Sequence, residues 1–137
     1  MPRILAIDYG LKRTGIAVTD PLQIISHGLT TVATETAINF LKKYCSTEIV
    51  SDIVIGEPKK LDNTNAEIEP FIQLFIEELK AALPNITFHR FDERFTSKLA
   101  AQSIYQSGLK KKQRHQKELL DEVSATILLQ SFMETRT

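Results

Sequence analysis

Residues 3–18 have the sequence "RILAIDYGLKRTGIAV", which predicts the first two strands of a sheet. The apolar run "RILAIDY" carries a carboxylate, Asp8, at its end, and "TGIAVTD" is a second apolar run. The Gly- and Lys-containing segment "GLKR" between them predicts a turn, so the two strands should be antiparallel. Asp8 needs an explanation, because an unpaired charge beside buried surface is costly.

Three further segments predict strands. "HGLTTVA" follows a turn at Pro21 and completes a three-stranded antiparallel meander. "SDIVIGEP" is an apolar run that stops at Gly56 and Pro58, as expected for a central strand covered on both faces. "NITFHRFDER" is the fifth predicted strand.

Apolar residues at helical spacing predict helices between and after these strands. Residues 35 to 46 should form a crossover helix, and the last helix should run from about Glu118 to Met133. Between them, Thr96 can cap a helix over "SKLAAQSIYQS" that Gly108 would end.

The helix before "NITFHRFDER" has the most detailed pattern. Thr64 and Glu67 have the spacing of a capping box, and Pro70 should lie in or near the first turn. Its predicted apolar stripe consists of Ile68, Phe71, Phe75, Leu79 and Leu83.

The predicted fold is α/β. A five-stranded mixed sheet, with a three-strand antiparallel meander plus two parallel strands, would carry helices on both faces. The 137 residues suit one domain, 1–137, because a second independent core is not expected at that length.

Composition points to no partner class by itself. Lys+Arg and Asp+Glu both total 17, so any site for a polyanion must come from local clustering. No signal-peptide region is evident, and no apolar stretch approaches the roughly 18 residues of a membrane span. The single Cys45 has no partner for an intramolecular disulfide, which fits the reducing cytoplasm.

Acids follow the ends of two predicted strands. Asp8 ends the first strand, Asp92 and Glu93 end the fifth, and Asp121 interrupts the apolar stretch "LLDEVSATILL" of the last helix. If these elements converge, the carboxylates suggest a Mg²⁺ or Mn²⁺ site, because hard divalent ions prefer oxygen ligands. Each acid also has a purely structural interpretation. Asp8 could cap a turn, and Asp92 and Glu93 could be a solvated strand end. Asp121 could be an acid near a helix N-terminus, where the helix dipole favours negative charge.

Positive charge is clustered in two places. Lys12 and Arg13 lie beside Gly10 and Gly15, where the glycines allow either a hairpin turn or close approach of a phosphate. A basic run precedes the last helix, either as a solvated loop or, as its position favours, as a contact to phosphates. The run comprises Lys110, Lys111, Lys112, Arg114 and Lys117.

Four segments in order resemble the motifs of the YqgF family, also called RuvX. They are "AIDYGLKRTGIAVTD", with the pattern Asp-x-Gly-x-x-Arg-x-Gly, "IVIGEPKKLDNTNAE", "FDERFTSKLA" and "KELLDEVSATILLQSF". One departure is that Glu57 and Lys59 flank Pro58, where apolar or smaller residues are common in the family. The resemblance spans nearly the whole chain.

The resemblance implies an RNase H-like fold and a cytoplasmic bacterial protein that processes the 5′ end of pre-16S ribosomal RNA. Resolution of Holliday junctions is the older proposal for the family. It implies hydrolysis of phosphodiester bonds with two metal ions, Mg²⁺ or Mn²⁺, held by Asp8, Glu93 and Asp121. Asp92 is the competing ligand, and Arg13, Arg94 and the basic run would hold phosphates.

Two other functions fit parts of the sequence. An actin-like phosphotransferase shares the first motif but needs two lobes, and a non-catalytic RNA-binding assembly module could keep the fold without the chemistry. The sequence does not distinguish RNA from DNA, endo from exo action, or a monomer from a homodimer.

Overall fold

The computed structural model describes residues 2–60, 62, 64–96 and 117–136 of the chain. Within these residues the strands are β1 (Arg3–Asp8), β2 (Arg13–Thr19), β3 (Ser26–Ala33), β4 (Val50–Glu57) and β5 (Thr87–Asp92). The helices are α1 (Ala37–Thr47), α2 (Glu69–Ala82) and α3 (Lys117–Glu134), and short 3-10 turns span Thr34–Thr36 and Glu93–Phe95.

The strands form one mixed sheet in the order β3-β2-β1-β4-β5. β1 pairs antiparallel with β2, and β2 with β3, whereas β4 runs parallel to both β1 and β5. The predicted meander plus two parallel strands is therefore confirmed. The carboxyl ends of β1, β4 and β5 meet at one edge of the sheet, which we call the carboxyl edge.

Helices cover both faces of the sheet, as predicted. α1 and α2 pack on one face, where the buried side chains include Leu5, Ile7, Leu41, Ile72 and Leu79. α3 packs on the other face, which we call the α3 face. Its core includes Ile4, Ala6, Val54, Ala125 and Leu129. Alternate residues of β1 thus enter opposite cores, because successive strand side chains point to opposite sides.

The start of α2 differs from the prediction. The helix begins at Glu69, and its N-cap residue, Ile68, makes no side-chain capping hydrogen bond. The Thr64 hydroxyl instead donates to Asp62 Oδ1 at 2.6 Å, so the predicted capping box is wrong. The reason is Pro70. A helix capped at Thr64 would place Pro70 beyond the first turn, where its missing N–H and its ring are not tolerated.

The apolar stripe of α2 is also rotated relative to the prediction. Phe75 and Leu79 are buried as expected, but Phe71 is 51% exposed and Ile72 takes the core position. A stripe through Phe71 and one through Ile72 both have helical spacing over part of α2. Packing against the sheet decides which of the two side chains is buried.

Several predicted features lie outside the described residues. These are the helix over "SKLAAQSIYQS", its end at Gly108, and Lys110, Lys111, Lys112 and Arg114. Lys117 is the first residue of α3, but its side chain is not among those described. In the part of the chain that is described, no helix has the length and hydropathy to span a membrane.

Candidate metal centre

Asp8 lies at the carboxyl edge on the α3 face, and glycines flank it on both sides. It pairs across the antiparallel ladder with Gly15 of β2. On the parallel side, Gly56 follows Ile55, the residue of β4 that pairs with Ile7. Because neither neighbouring residue has a side chain, there is space beside Asp8 on this face for groups from other elements.

Asp121 uses the space at Gly15. A Cβ added to Gly15 would lie 2.1 Å from the backbone oxygen of Asp121 and 3.2 Å from its Cβ. The first half of α3 can therefore contact β2 only because residue 15 is glycine. The sequence left Gly15 open between a hairpin turn and close approach of a phosphate. In the structure it lies within β2, and its role is this helix–strand contact.

Glu93 uses the space at Gly56. A Cβ added to Gly56 would lie 2.6 Å from Glu93 Oε1, so the carboxylate rests directly over the end of β4. Glu93 begins the 3-10 turn that follows β5. The structure thus brings Asp8, Glu93 and Asp121 together from three separate elements.

The electrostatics of Asp8 reflect this convergence. Burial raises its pKa from 3.8 to about 7, and the nearby charges of Glu93 and Asp121 act in the same direction. Asp20 shows the opposite case, because its carboxylate accepts three backbone N–H bonds in the β2–β3 loop and its pKa is lowered. The pKa values of these two acids are thus shifted in opposite directions, by burial in Asp8 and by backbone hydrogen bonds in Asp20.

Glu93 is also held in an unfavourable environment for a negative charge. Burial raises its pKa, the charge of Arg90 opposes that effect, and the charge of Asp92 adds to it. For both Asp8 and Glu93, burial is the main cause of the raised pKa, and the charge of at least one neighbouring acid adds to it.

Asp92, the competing ligand, is engaged elsewhere. Its Oδ2 accepts a hydrogen bond from Arg94 Nη2 at 2.6 Å, and Oδ1 accepts one from the Arg94 backbone N–H at 2.9 Å. The hydrogen bonds from Arg94 lower the pKa of Asp92 to about 2. Asp92 also points away from Phe91, which packs under α3, so its side chain lies on the face opposite Asp8.

Arg13, the first residue of β2, lies on Asp121. Its Nε donates to Asp121 Oδ2 at 3.1 Å, and both side chains are about one-third exposed. This contact joins the start of β2 to α3 and places a positive charge on one of the three acids.

The Gly10–Lys12 loop is held in place by Thr34. The Thr34 hydroxyl donates to the Gly10 carbonyl at 2.6 Å, and its backbone N–H donates to the Lys12 carbonyl at 3.0 Å. A Cβ on Gly10 would lie 2.4 Å from the Arg13 carbonyl oxygen, so close backbone approach explains this glycine. Lys12 is left exposed at the carboxyl edge.

The donor set suits a hard divalent cation, since three carboxylates surround a space that two glycines keep open. As the side chains stand, however, no group of three or more His, Cys, Asp and Glu residues in the described part of the chain is arranged to hold one ion. Asp121 is hydrogen-bonded to Arg13 instead. An ion bound by all three acids would have to take the place of that contact.

An ion-paired network that the sequence patterns did not indicate supports Glu93 from the other face. Arg90 Nη1 and Nη2 both donate to the buried Glu69 carboxylate at 2.8 Å. Arg90 also donates to the carbonyls of Ile55 and Gly56, at 3.3 and 3.0 Å. The network therefore fixes the end of β4 beneath Glu93. The only sign of this network in the sequence is Arg90, a charged residue between the apolar residues Phe88 and Phe91 of β5.

A cavity of about 460 Å³ opens on the side of the sheet covered by α1 and α2. Its lining includes Tyr9, Ile38, Phe71 and Phe75, and none of the three clustered acids.

Comparisons with known proteins find similar sequences and similar structures. A family model described as "RuvX: Holliday junction resolvase" matches residues 2–135. A protein of Flavobacterium psychrophilum is 53% identical over 133 residues, covering 97% of each chain. One of Phocaeicola vulgatus is 52% identical over 136 residues, covering 99% of this chain and 98% of its own. Both carry the name "Putative pre-16S rRNA nuclease".

Solved structures show the same fold. RuvC of Thermus thermophilus in complex with a Holliday junction substrate matches with a TM-score of 0.65 at 12% identity, over 100% of this chain and 98% of that one. A second Thermus thermophilus RuvC structure matches with a TM-score of 0.59 at 11% identity, over 97% and 96%. These matches confirm the predicted RNase H-like fold, and at such identity they bear on the fold alone.

Proposed function

This chain belongs to the RuvX family, and from that premise we propose that it is a divalent-metal-dependent nuclease. The observation that carries the proposal is the convergence of Asp8, Glu93 and Asp121 at the carboxyl edge, with glycines opening the space between them. The raised pKa of Asp8 supports it, because a cation at this position would relieve the repulsion that contributes to it.

The three acids would hold the metal, with Asp8 central and Glu93 and Asp121 on either side. Bound Mg²⁺ or Mn²⁺ would lower the pKa of a water, so that it can ionise to the hydroxide that attacks a phosphodiester. The positive charge of the ion would also stabilise the departing 3′-oxygen. The acids must be ionised to bind the ion. The Arg90–Glu69 pair keeps the strand beneath Glu93 in place while the substrate binds.

Basic side chains would bind the sugar-phosphate backbone. Lys12 is exposed beside the acids, and the Gly10 turn brings backbone close to the same edge. Arg94 also lies at this edge, although its guanidinium contacts Asp92 in the structure. We assign the basic run at residues 110–117 to phosphate contacts as well, because it precedes the helix that carries Asp121.

The substrate we propose is the 5′ end of pre-16S ribosomal RNA, on the strength of the names of relatives near 50% identity over almost their full length. Branched DNA is the second candidate, favoured by the description of the matching family. The reaction would take place in the cytoplasm, in one domain spanning 1–137. Symmetric cleavage of a junction would require a homodimer, whereas cleavage of RNA requires only a monomer.

The test is a cleavage assay with two substrates. The purified protein is incubated with a labelled pre-16S 5′ leader and with a synthetic four-way DNA junction, each with Mg²⁺, Mn²⁺ or EDTA. We expect metal-dependent cleavage of the leader and little cleavage of the junction. The reverse preference would favour the resolvase.

Two variants make the assay specific. Asp8→Asn should abolish cleavage while leaving the fold intact, and cleavage that persists in it would indicate a contaminant. Asp92→Asn is the matched control, since this neighbouring acid faces away from the cluster, and it should retain most activity. Binding of RNA without cleavage by the wild type would favour the assembly module.

A further inference from the structure

We propose that Arg13 is an exchangeable counter-ion of Asp121, which a divalent cation displaces from the acid so that the guanidinium becomes available to a substrate phosphate. The proposal rests on the metal site put forward above. It assigns to Arg13 two successive partners, a carboxylate without the ion and a phosphate with it.

The contact between Arg13 and Asp121 is weak enough to be replaced by another ligand. It is a hydrogen bond from Nε to Oδ2 at 3.1 Å, and the two side chains are 36% and 30% exposed. Water and salt compete for ion pairs with this exposure, and such pairs contribute little to stability. Displacing Arg13 therefore costs little.

The Arg90–Glu69 pair is a more buried ion pair in the same protein and serves as the comparison. Arg90 donates twice to Glu69, whose side chain is only 5% exposed, and twice more to backbone carbonyls. Breaking it would leave charges without partners in a buried place. Arg13 lacks this burial, so it can leave its acid while Arg90 cannot.

The charge balance favours exchange once the ion is present. Arg13 brings one positive charge to Asp121, whereas a divalent ion brings two to a cluster in which Asp8 feels the charges of both other acids. The backbone and Cβ of Asp121 lie against Gly15, so the helix position that carries the acid stays fixed when Arg13 moves away. The ion and Arg13 thus compete for a carboxylate whose position is set by α3.

Displacement would leave the guanidinium at the carboxyl edge. Arg13 begins β2 and directly follows the exposed Lys12, so two adjacent residues would then offer positive charge to a phosphate backbone at this edge. Arginine suits that role because its planar fork binds two phosphate oxygens at once. Phosphate binding and metal loading would therefore be coupled.

The first experiment observes Arg13 directly in the unmodified protein. The Arg13 Nε–H signal is assigned by triple-resonance NMR and followed during titration with Mg²⁺. Arg3 is the matched control, because its Nε donates to Glu48 Oε1 at 3.0 Å at the opposite end of β1. We expect the Arg13 signal to shift and exchange faster with solvent as Mg²⁺ binds, while the Arg3 signal stays unchanged. An Arg13 signal that is unchanged at saturating Mg²⁺ would overturn the proposal.

The second experiment measures Mn²⁺ affinity from the EPR signal of free Mn²⁺. Removing the competitor in Arg13→Gln should tighten Mn²⁺ binding about 2- to 5-fold, the range expected for loss of an exposed ion pair. Equal or weaker binding by Arg13→Gln, with normal binding by the wild type, would overturn the role of Arg13 alone. Absence of Mn²⁺ binding by the wild type would overturn the proposed function as well.

Discussion

Gly15 and Asp121 are in direct contact, since a Cβ on Gly15 would lie 2.1 Å from the Asp121 backbone oxygen. Their contact seats α3 on the sheet and, through the Asp8–Gly15 pairing, places Asp121 beside Asp8. The same two residues therefore serve packing and site geometry.

Gly15→Ala should destabilise the protein and open the metal centre. The added Cβ would meet a backbone atom of α3, so the whole helix must move. We expect the free energy of unfolding to fall by about 2 kcal/mol, as for overpacked cores. Urea unfolding measures this cost. Gly28→Ala is the control, because its Cβ would meet the Glu122 Cβ at 3.2 Å, and it should cost clearly less. Equal losses in both variants would contradict the assigned role of Gly15.

Gly56→Ala should lower activity while changing the free energy of unfolding little. Its Cβ would lie 2.6 Å from Glu93 Oε1, the far end of a flexible side chain that can rotate away. We expect a change in the free energy of unfolding of under about 1 kcal/mol, typical of sites without a rigid clash. Cleavage and Mn²⁺ affinity should nevertheless fall, because the Glu93 carboxylate is displaced. Full activity in this variant would argue against Glu93 as a ligand.

Asp8 should make the stability of the metal-free protein dependent on pH. Its pKa is about 7 in the folded protein against an ordinary value of 3.8, so the folded state binds the proton more tightly than the unfolded state. The stabilisation is complete below the lower value and is lost as the pH rises through about 7. Metal affinity should change in the opposite sense, because only the ionised carboxylate binds the ion.

Asp8→Asn removes this titration and provides the check. In EDTA at pH 8 the variant should melt about 3 to 4 °C above the wild type, an amount that corresponds to roughly 1 kcal/mol in a domain of this size. At pH 5 the difference should be clearly smaller, since the cost of ionising Asp8 in the folded protein builds up as the pH rises from 3.8 to about 7. A constant difference between variant and wild type at both pH values would show that Asp8 does not titrate in this window.

Glu69→Gln should be among the most destabilising single substitutions on the α2 side. Glu69 is 4% exposed and receives two hydrogen bonds from Arg90, so loss of its charge removes the counter-ion of a guanidinium that is itself only 22% exposed. We expect a loss of about 3 kcal/mol in urea unfolding, as for other broken buried pairs. Glu48→Gln breaks the more exposed Arg3–Glu48 pair and should cost under about 1 kcal/mol.

The sequence by itself determined the strands, their succession along the chain and most of the helices. Alternation and apolar runs report burial directly, and glycine and proline mark the turns, so the mixed sheet was predicted correctly. Where two local patterns conflicted, as in α2, the prediction from the sequence was wrong. Pro70 excluded the capping box, and packing against the sheet selected Ile72 over Phe71.

Only the tertiary structure decided how the acids and glycines combine. Gly15 and Gly56 are separated in the chain from Asp121 and Glu93, and no local pattern shows that each glycine makes room for one acid. The pairing of Arg13 with Asp121 spans 108 positions, and Arg90 reaches Glu69 across 21. Such contacts depend on which elements the sheet brings together, because electrostatic and steric contacts act through space and are independent of distance along the chain.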